Sequence, residues 1–211
     1  MAEQAFGAWP RGTATSKPAP AAPPVASRVV IVDNPGAPQT QLRVATIGPP
    51  RSTPDYAAVR VMNQVLGGLF SSRINFNLRE QHGYTYGANS QFTFRRGPGP
   101  FAVASGVRTD VTAPAVGEIL KEIRILRETP IGDEELNQAR DSLSLSLPAN
   151  FETNESTVSN YASVFVYGLG RDYFNRYAAE VSAVTPQQAL DVAKKYVVPE
   201  QLVVIAVGDA A

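Results

Sequence analysis

The chain has 211 residues, and its 19 basic and 19 acidic side chains cancel. With 44% hydrophobic residues it is globular rather than wholly disordered, and its length suits one domain or two small ones. Zero net charge argues against a large nucleic-acid footprint, and the absence of Cys excludes disulfides, a thiol nucleophile and Cys-ligated zinc. A single His rules out a two-His zinc motif such as H-E-x-x-H within this chain.

No run approaches the ~18–20 consecutive apolar residues of a membrane span. The start MAEQAFGAWPRG lacks the basic and apolar regions of a signal peptide. Ten of the 17 prolines fall within the first 54 residues, and Thr13 to Ala26 is Pro/Ala-rich. Such a stretch buries too little surface to offset its ordering entropy, so residues 1–27 read as an extended linker or tail. Met1 reads either as a true start or as a start placed inside a longer chain, and the linker favours the second. Phe6 and Trp9 upstream suggest that the tail docks somewhere.

The folded part, 28–211, opens with RVVIVD (28–33), a short buried strand by its apolar run. NPGAP (34–38) is turn chemistry, and QLRVATIG (41–48) is a second strand. There Leu42, Val44 and Thr46 alternate with Arg43, Ala45 and Ile47. Thr53 is the expected N-cap of a helix, with Pro54 at its first position. Tyr56, Val59, Met62, Val65 and Leu66 recur at helical spacing until Gly67-Gly68. A second helix covers about 71–81 and breaks at Gly83. YTYGANSQFTF (84–94) and FAVASGVRT (101–109) flank an RRGPGP turn and read as a hairpin.

From 112 to 196 the pattern is helical: about 112–128, 133–147 capped by Asp133, 155–167, 172–182 and 186–196. The last opens with Thr185-Pro186-Gln187-Gln188, an N-cap, a first-turn proline and a capping-box Gln. QLVVIAVG (201–208) closes as a strand. This order lacks the alternation of a doubly wound parallel sheet. It predicts an α+β fold, a largely antiparallel sheet with helices packed on one face.

Most catalytic signatures are missing: no G-x-S-x-G, no phosphate loop, no dinucleotide fingerprint. His82 reads as a residue of a C-terminal helical turn. Glu134-Glu135 in a first turn, and Glu118 with Glu122 one turn apart, read as solvated charges. Tyr84 and Tyr86 sit two apart on a strand, so they should share a side, and Arg79 precedes Tyr86 by seven. A guanidinium fork beside phenolic hydroxyls can hold a peptide carbonyl or carboxylate.

Several segments together carry a resemblance. They are Pro35-Gly36-Ala37-Pro38-Gln39, Pro54-Asp55-Tyr56, Asn63-Gln64-Val65-Leu66-Gly67-Gly68, Ser72-Arg73 and Leu78-Arg79-Glu80. Gly83-Tyr84-Thr85-Tyr86-Gly87, Glu134-Glu135-Leu136 and Val207-Gly208-Asp209 complete them. From about Arg28 to Gly208 the chain resembles the C-terminal, non-catalytic half of a bacterial insulinase/pitrilysin-family zinc metallopeptidase. In that family one half binds zinc through H-x-x-E-H and a downstream Glu, and that motif's Glu activates water. The other half has the same fold without the motif, and its Arg/Tyr pair helps bind the substrate backbone.

The resemblance implies no catalytic residue, metal or cofactor in this chain, with zinc in a partner half on the same or another polypeptide. It maps the substrate-binding pair onto Arg79 and Tyr86, with Tyr84 as the competing tyrosine. It implies a peptide substrate, a periplasmic or membrane-associated setting, and a homodimer when the half is isolated with its apolar face open. The alternative is a structural module of the same fold with no active-site role.

Overall fold

The computed structural model describes residues 1–10, 12, 23 and 26–210. The Pro/Ala-rich stretch lies outside the described residues except for Pro23 and Ala26. Upstream, Ala2–Phe6 forms a short helix, α1. Phe6 and Trp9 pack edge to face at 5.1 Å, and both stay largely exposed rather than docking their rings.

Five strands form one sheet in the order β1-β5-β2-β4-β3: β1 Arg28–Asp33, β2 Gln39–Gly48, β3 Thr85–Phe92, β4 Gly99–Arg108 and β5 Val203–Gly208. Three pairings are antiparallel, and only β1 with β5 is parallel. The helices are α2 Tyr56–Asn63, α3 Arg73–Asn75, α4 Thr112–Glu128, α5 Asp133–Leu145, α6 Asn154–Tyr167, α7 Tyr173–Ser182 and α8 Pro186–Tyr196. Both α2 and α3 continue as wider π-helical turns, Gln64–Gly68 and Phe76–Gln81. The expected α+β class is what the chain adopts.

The core lies between the sheet and its helices. Leu42, Val44 and Thr46 of β2 are buried, as the alternation predicts, on the strand that α4 packs against, and α4 in turn packs on α8. Val59, Met62, Val65 and Leu66 form the buried stripe of α2. Gly67 lets this helix approach β3 closely: a Cβ there would sit 2.5 Å from the Ser90 amide nitrogen. The capping box of α8 is present, with Thr185 accepting from Gln188 N–H and Gln188 accepting from Thr185 N–H.

Three local expectations are corrected. The RVVIVD strand is not buried: Val29 and Ile31 are 67% and 68% exposed, because β1 is a sheet edge and the helices pack on β2 and β4 instead. An apolar run cannot by itself distinguish a covered strand from an uncovered edge. Thr53 does not cap α2, which begins two residues later than expected. Its hydroxyl accepts from Asp55 N–H, while the Asp55 carboxylate accepts from Tyr196 O–H at 2.6 Å and Lys195 Nζ at 2.7 Å on α8. Asp133 is the first residue of α5 rather than its cap, which is Gly132.

Candidate functional site

The site region starts where the π-helical turn after α3 ends. Gly83 adopts φ +62°, in the left-handed region where a side chain is disfavoured. Its N–H donates to Arg79 C=O at 3.2 Å and Tyr84 N–H donates to Leu78 C=O at 2.8 Å, which closes the helix and turns the chain into β3. Arg79 and Tyr84 to Tyr86 therefore gather at one end of β3.

The register then slips. Thr85 pairs with Val107 and Ala88 pairs with Ser105, so Tyr86 and Gly87 together oppose Gly106. This β-bulge re-aims the strand. Tyr86 is 90% exposed. Tyr84 instead stacks on His82 at 4.9 Å and packs partly buried against the core. The two tyrosines expected to share one side thus occupy different environments.

A polar network clamps the bulge. Thr85 Oγ1 donates to Gly106 C=O at 2.7 Å and accepts from Gly87 N–H at 3.1 Å. Ser105 Oγ donates to Gly87 C=O at 3.0 Å. Asn75, 4% exposed, donates to Phe70 C=O at 2.6 Å and accepts from Ala88 N–H at 2.9 Å. The chain order did not mark Asn75, Thr85 or Ser105. A trace was present: an Asn inside a helix is unfavourable unless its amide has a partner.

The Arg79 guanidinium sits over the Phe70 ring at 4.5 Å. Its Nη1 is 3.4 Å from Glu80 Oε1, inside ion-pair range, yet it forms no well-aligned hydrogen bond. The contact is a loose ion pair, and Nη1 is buried without a hydrogen-bond partner, while the side chain as a whole is 34% exposed. The arrangement offers donors without a nucleophile. His82 has Nε2 3.7 Å from Glu118 and its ring against Tyr84, and among the described residues no hydroxyl bonds to it.

Glu118, Glu122 and Glu135 are less solvated than expected, while Glu134 is exposed. Asn77 Nδ2 donates to both Glu118 (2.9 Å) and Glu122 (2.8 Å), and Lys121 with Asn77 holds the Glu118 carboxyl below its ordinary range. Glu135 takes a bidentate bond from Arg73, with Nε at 2.8 Å, which joins the start of α5 to α3. That bond lowers the Glu135 pKa below its ordinary 4.5. A lowered carboxyl stabilises the fold above its unfolded pKa, and the contribution is lost as pH falls through the folded value. Glu135→Gln should therefore cost about 1 kcal/mol at pH 7, a modest figure because the Glu135 side chain is 42% exposed. It should also flatten the acid loss of stability below pH 4.5, measured by urea unfolding against pH. An unchanged acid limb would refute this role.

The zinc ligands of a peptidase half do not fit here. The helix where such a motif would lie buries Val59, Val61 and Met62, and α5, packed on it, buries Leu136, Ala139 and Leu143. Among the described residues no three His, Asp or Glu side chains gather as metal donors. No helix among them is long and apolar enough to cross a membrane.

The fold is a mixed sheet backed by helices, and no metal-donor cluster accompanies it among the described residues. The family model described as "Peptidase M16 inactive domain" matches residues 1–143, and the chain belongs to that family. A solved peptidase M16 inactive domain from Pseudomonas fluorescens is 27% identical, with TM-score 0.90 over 100% of this chain and 50% of that one. A protease from Helicobacter pylori is 17% identical, with TM-score 0.86 over 97% of this chain and 50% of that one. A chain of complex III2 from Candida albicans shares the fold at 15% identity and TM-score 0.73, covering 86% of this chain and 45% of that one. No curated protein matches the sequence. The chain spans about half the length of the solved chains it matches.

Proposed function

We propose that this chain is the substrate-binding, non-catalytic half of a two-half zinc metallopeptidase. In this reading residues 28–211 close a chamber against a zinc-bearing half, and residues 1–27 are the tether. The observation that carries it is Tyr86, held 90% exposed by a clamped bulge at the same end of β3 as the partly exposed Arg79. Structural tyrosines bury their rings, and this one stands out into solvent. A guanidinium and a phenol so presented suit the carbonyls of an extended peptide. Tyr84 is the weaker choice, since its ring is spent on His82.

The uncovered apolar surface supports a partner of this kind. Val29 and Ile31 on β1, with Val158 and Phe165 on α6, are all more than two-thirds exposed. Surfaces of this kind mark interaction sites, and the matched chains of double length would carry a second half to cover them. Zinc in that half would supply the activated water.

The test is metal content and peptidase activity of this chain, alone and after mixing with a purified zinc-bearing half. Activity only in the mixture is expected. Stoichiometric zinc or chelator-sensitive cleavage by the chain alone would overturn the reading. The structural alternative draws on the shared fold with a complex III2 chain. It predicts a mixture indifferent to Arg79.

A further inference from the structure

Most arginines with a described partner find an oxygen acceptor. Arg73 binds Glu135, Arg108 binds Asp110, Arg176 binds Asp172 and Glu180, and Arg127 and Arg140 bind backbone carbonyls. Among the described residues the side chains of Arg51 and Arg60 reach no carboxylate and no backbone carbonyl. Arg51 is only 8% exposed, and among the described residues its guanidinium has no hydrogen-bond or ion-pair partner. It lies 3.4 Å from the Tyr56 ring centroid and 5.0 Å from that of Tyr173. Arg60 makes one side-chain bond, from Nη1 to the neutral Tyr56 hydroxyl at 3.1 Å. A guanidinium carries five N–H donors, and those of Arg51 and Arg60 without a protein acceptor keep some contact with solvent, open to a ligand.

Both arginines face one hollow of about 260 Å³ between α2, α5, α6 and α7. Its wall includes Arg51, Arg60, Tyr56, Tyr173 and Tyr177 beside neutral Ser and Asn side chains, and among the described residues no Asp or Glu lines it. The Tyr173 and Tyr177 hydroxyls bond to no described group. Burial raises both phenols above their ordinary pKa, so at neutral pH each keeps its proton and can donate. A wider cleft of about 670 Å³ adjoins the hollow and shares Arg51, Tyr56 and Tyr173. Its carboxylates Asp55, Glu180 and Asp191 are engaged by Lys195, Arg176 and Gln187. The hollow thus has two cations and several free donors, and no anion of its own.

We propose that this hollow binds an oxyanion, a carboxylate or phosphate, carried by a small molecule or by the acidic side chain of a peptide. Its volume is below the ~300–1,000 Å³ of clefts that enclose whole ligands, so it suits a group of side-chain size. The guanidinium of Arg51, already held against the Tyr56 ring, can offer its free N–H donors to the anion without being reordered. The tyrosine faces line the ligand's carbon skeleton. The site is independent of the Arg79/Tyr86 corner: Phe94 on its wall lies eight residues past Tyr86, about 25 Å along an extended chain.

The test is calorimetric titration of the full chain, at constant ionic strength, with four probes: inorganic phosphate, succinate and the blocked peptides acetyl-Ala-Glu-Ala-amide and acetyl-Ala-Gln-Ala-amide. Saturable one-site binding of at least one anionic probe is expected, with the Gln peptide silent. Binding of phosphate or succinate alone assigns a free small molecule, and binding of the Glu peptide assigns a side chain. Arg60→Met should weaken the bound probe about 10- to 100-fold, and Tyr177→Phe, which keeps the ring, severalfold. Arg51→Met should act like Arg60→Met; if it fails to fold, the other two variants carry the test. No saturable binding of any anion, or binding indifferent to both Arg60→Met and Tyr177→Phe, would overturn the proposal.

Discussion

Arg79→Ala should lower kcat/KM of the reconstituted two-half peptidase roughly 10- to 150-fold while leaving the fold of this half intact. The magnitude follows from losing one hydrogen bond from a charged donor to a substrate carbonyl, about 1.5–3 kcal/mol when the contact is made in the transition state. The separation from stability follows from local geometry. The Arg79 side chain is 34% exposed, and among the described residues its only ion-pair contact is the loose one to Glu80 and Nη1 has no hydrogen-bond partner. Removing it strips the Phe70 ring of a cation but opens no cavity in the core.

Two companion variants sharpen the result. Tyr86→Phe deletes one hydroxyl from a ring that is 90% exposed, so stability should not move while activity falls. Tyr84→Phe should leave activity unchanged, because that ring stacks on His82. Steady-state kinetics on the three variants, with urea unfolding of each, decides the matter. Full activity in Arg79→Ala at unchanged stability would leave this half a structural module. Full activity in Tyr86→Phe with a fall in Tyr84→Phe would exchange the two tyrosines.

What could be read from the chain was set by range. The helices from Thr112 to Tyr196 were legible because each carries its own period, and α8 also carries a complete capping box in four consecutive residues. Leu42, Val44 and Thr46 were legible because a half-buried strand alternates. Errors arise where a distant element decides. Thr53 looks like the cap of α2, but the helix starts after Asp55, whose carboxylate is tied to Lys195 and Tyr196 of α8 some 140 residues away. Glu135 looks like a first-turn acid until Arg73, 62 residues earlier, closes on it. β1 looks buried because nothing local says that it lies at an edge. Arg79 and Tyr86 were named from the resemblance and from seven-residue spacing. The bulge that distinguishes Tyr86 from Tyr84 depends on pairing with β4, which no spacing within β3 reveals.

The bulge itself depends on Asn75, and Asn75→Ala should be the more damaging change to the fold. The residue is 4% exposed and its amide uses both ends. Nδ2 donates to Phe70 C=O in the turn before α3, and Oδ1 accepts from Ala88 N–H, the first residue after the bulge. Alanine leaves a backbone carbonyl and a backbone amide without partners, each costing about 1–3 kcal/mol when buried, so a loss of about 2–4 kcal/mol is expected. For a chain of this size that lowers Tm by on the order of 10 °C. Exchange of the Ala88 amide proton should accelerate, since its acceptor is gone.

Asn63→Ala is the informative control. Asn63 makes a similar pair of bonds to Ser90, donating to its carbonyl at 2.9 Å and accepting from its hydroxyl at 2.8 Å, further along the same strand. It too should destabilise, but it leaves the clamp at Ala88 in place. In the reconstituted peptidase, assayed well below either unfolding transition, Asn75→Ala should weaken the dependence on Tyr86 and Asn63→Ala should not. That difference separates a residue that positions the Tyr86 corner from one that merely holds β3 to the helices. Equal effects of the two variants on activity, or an Ala88 amide that exchanges at the wild-type rate in Asn75→Ala, would mean that the bulge is held by Thr85 and Ser105 alone.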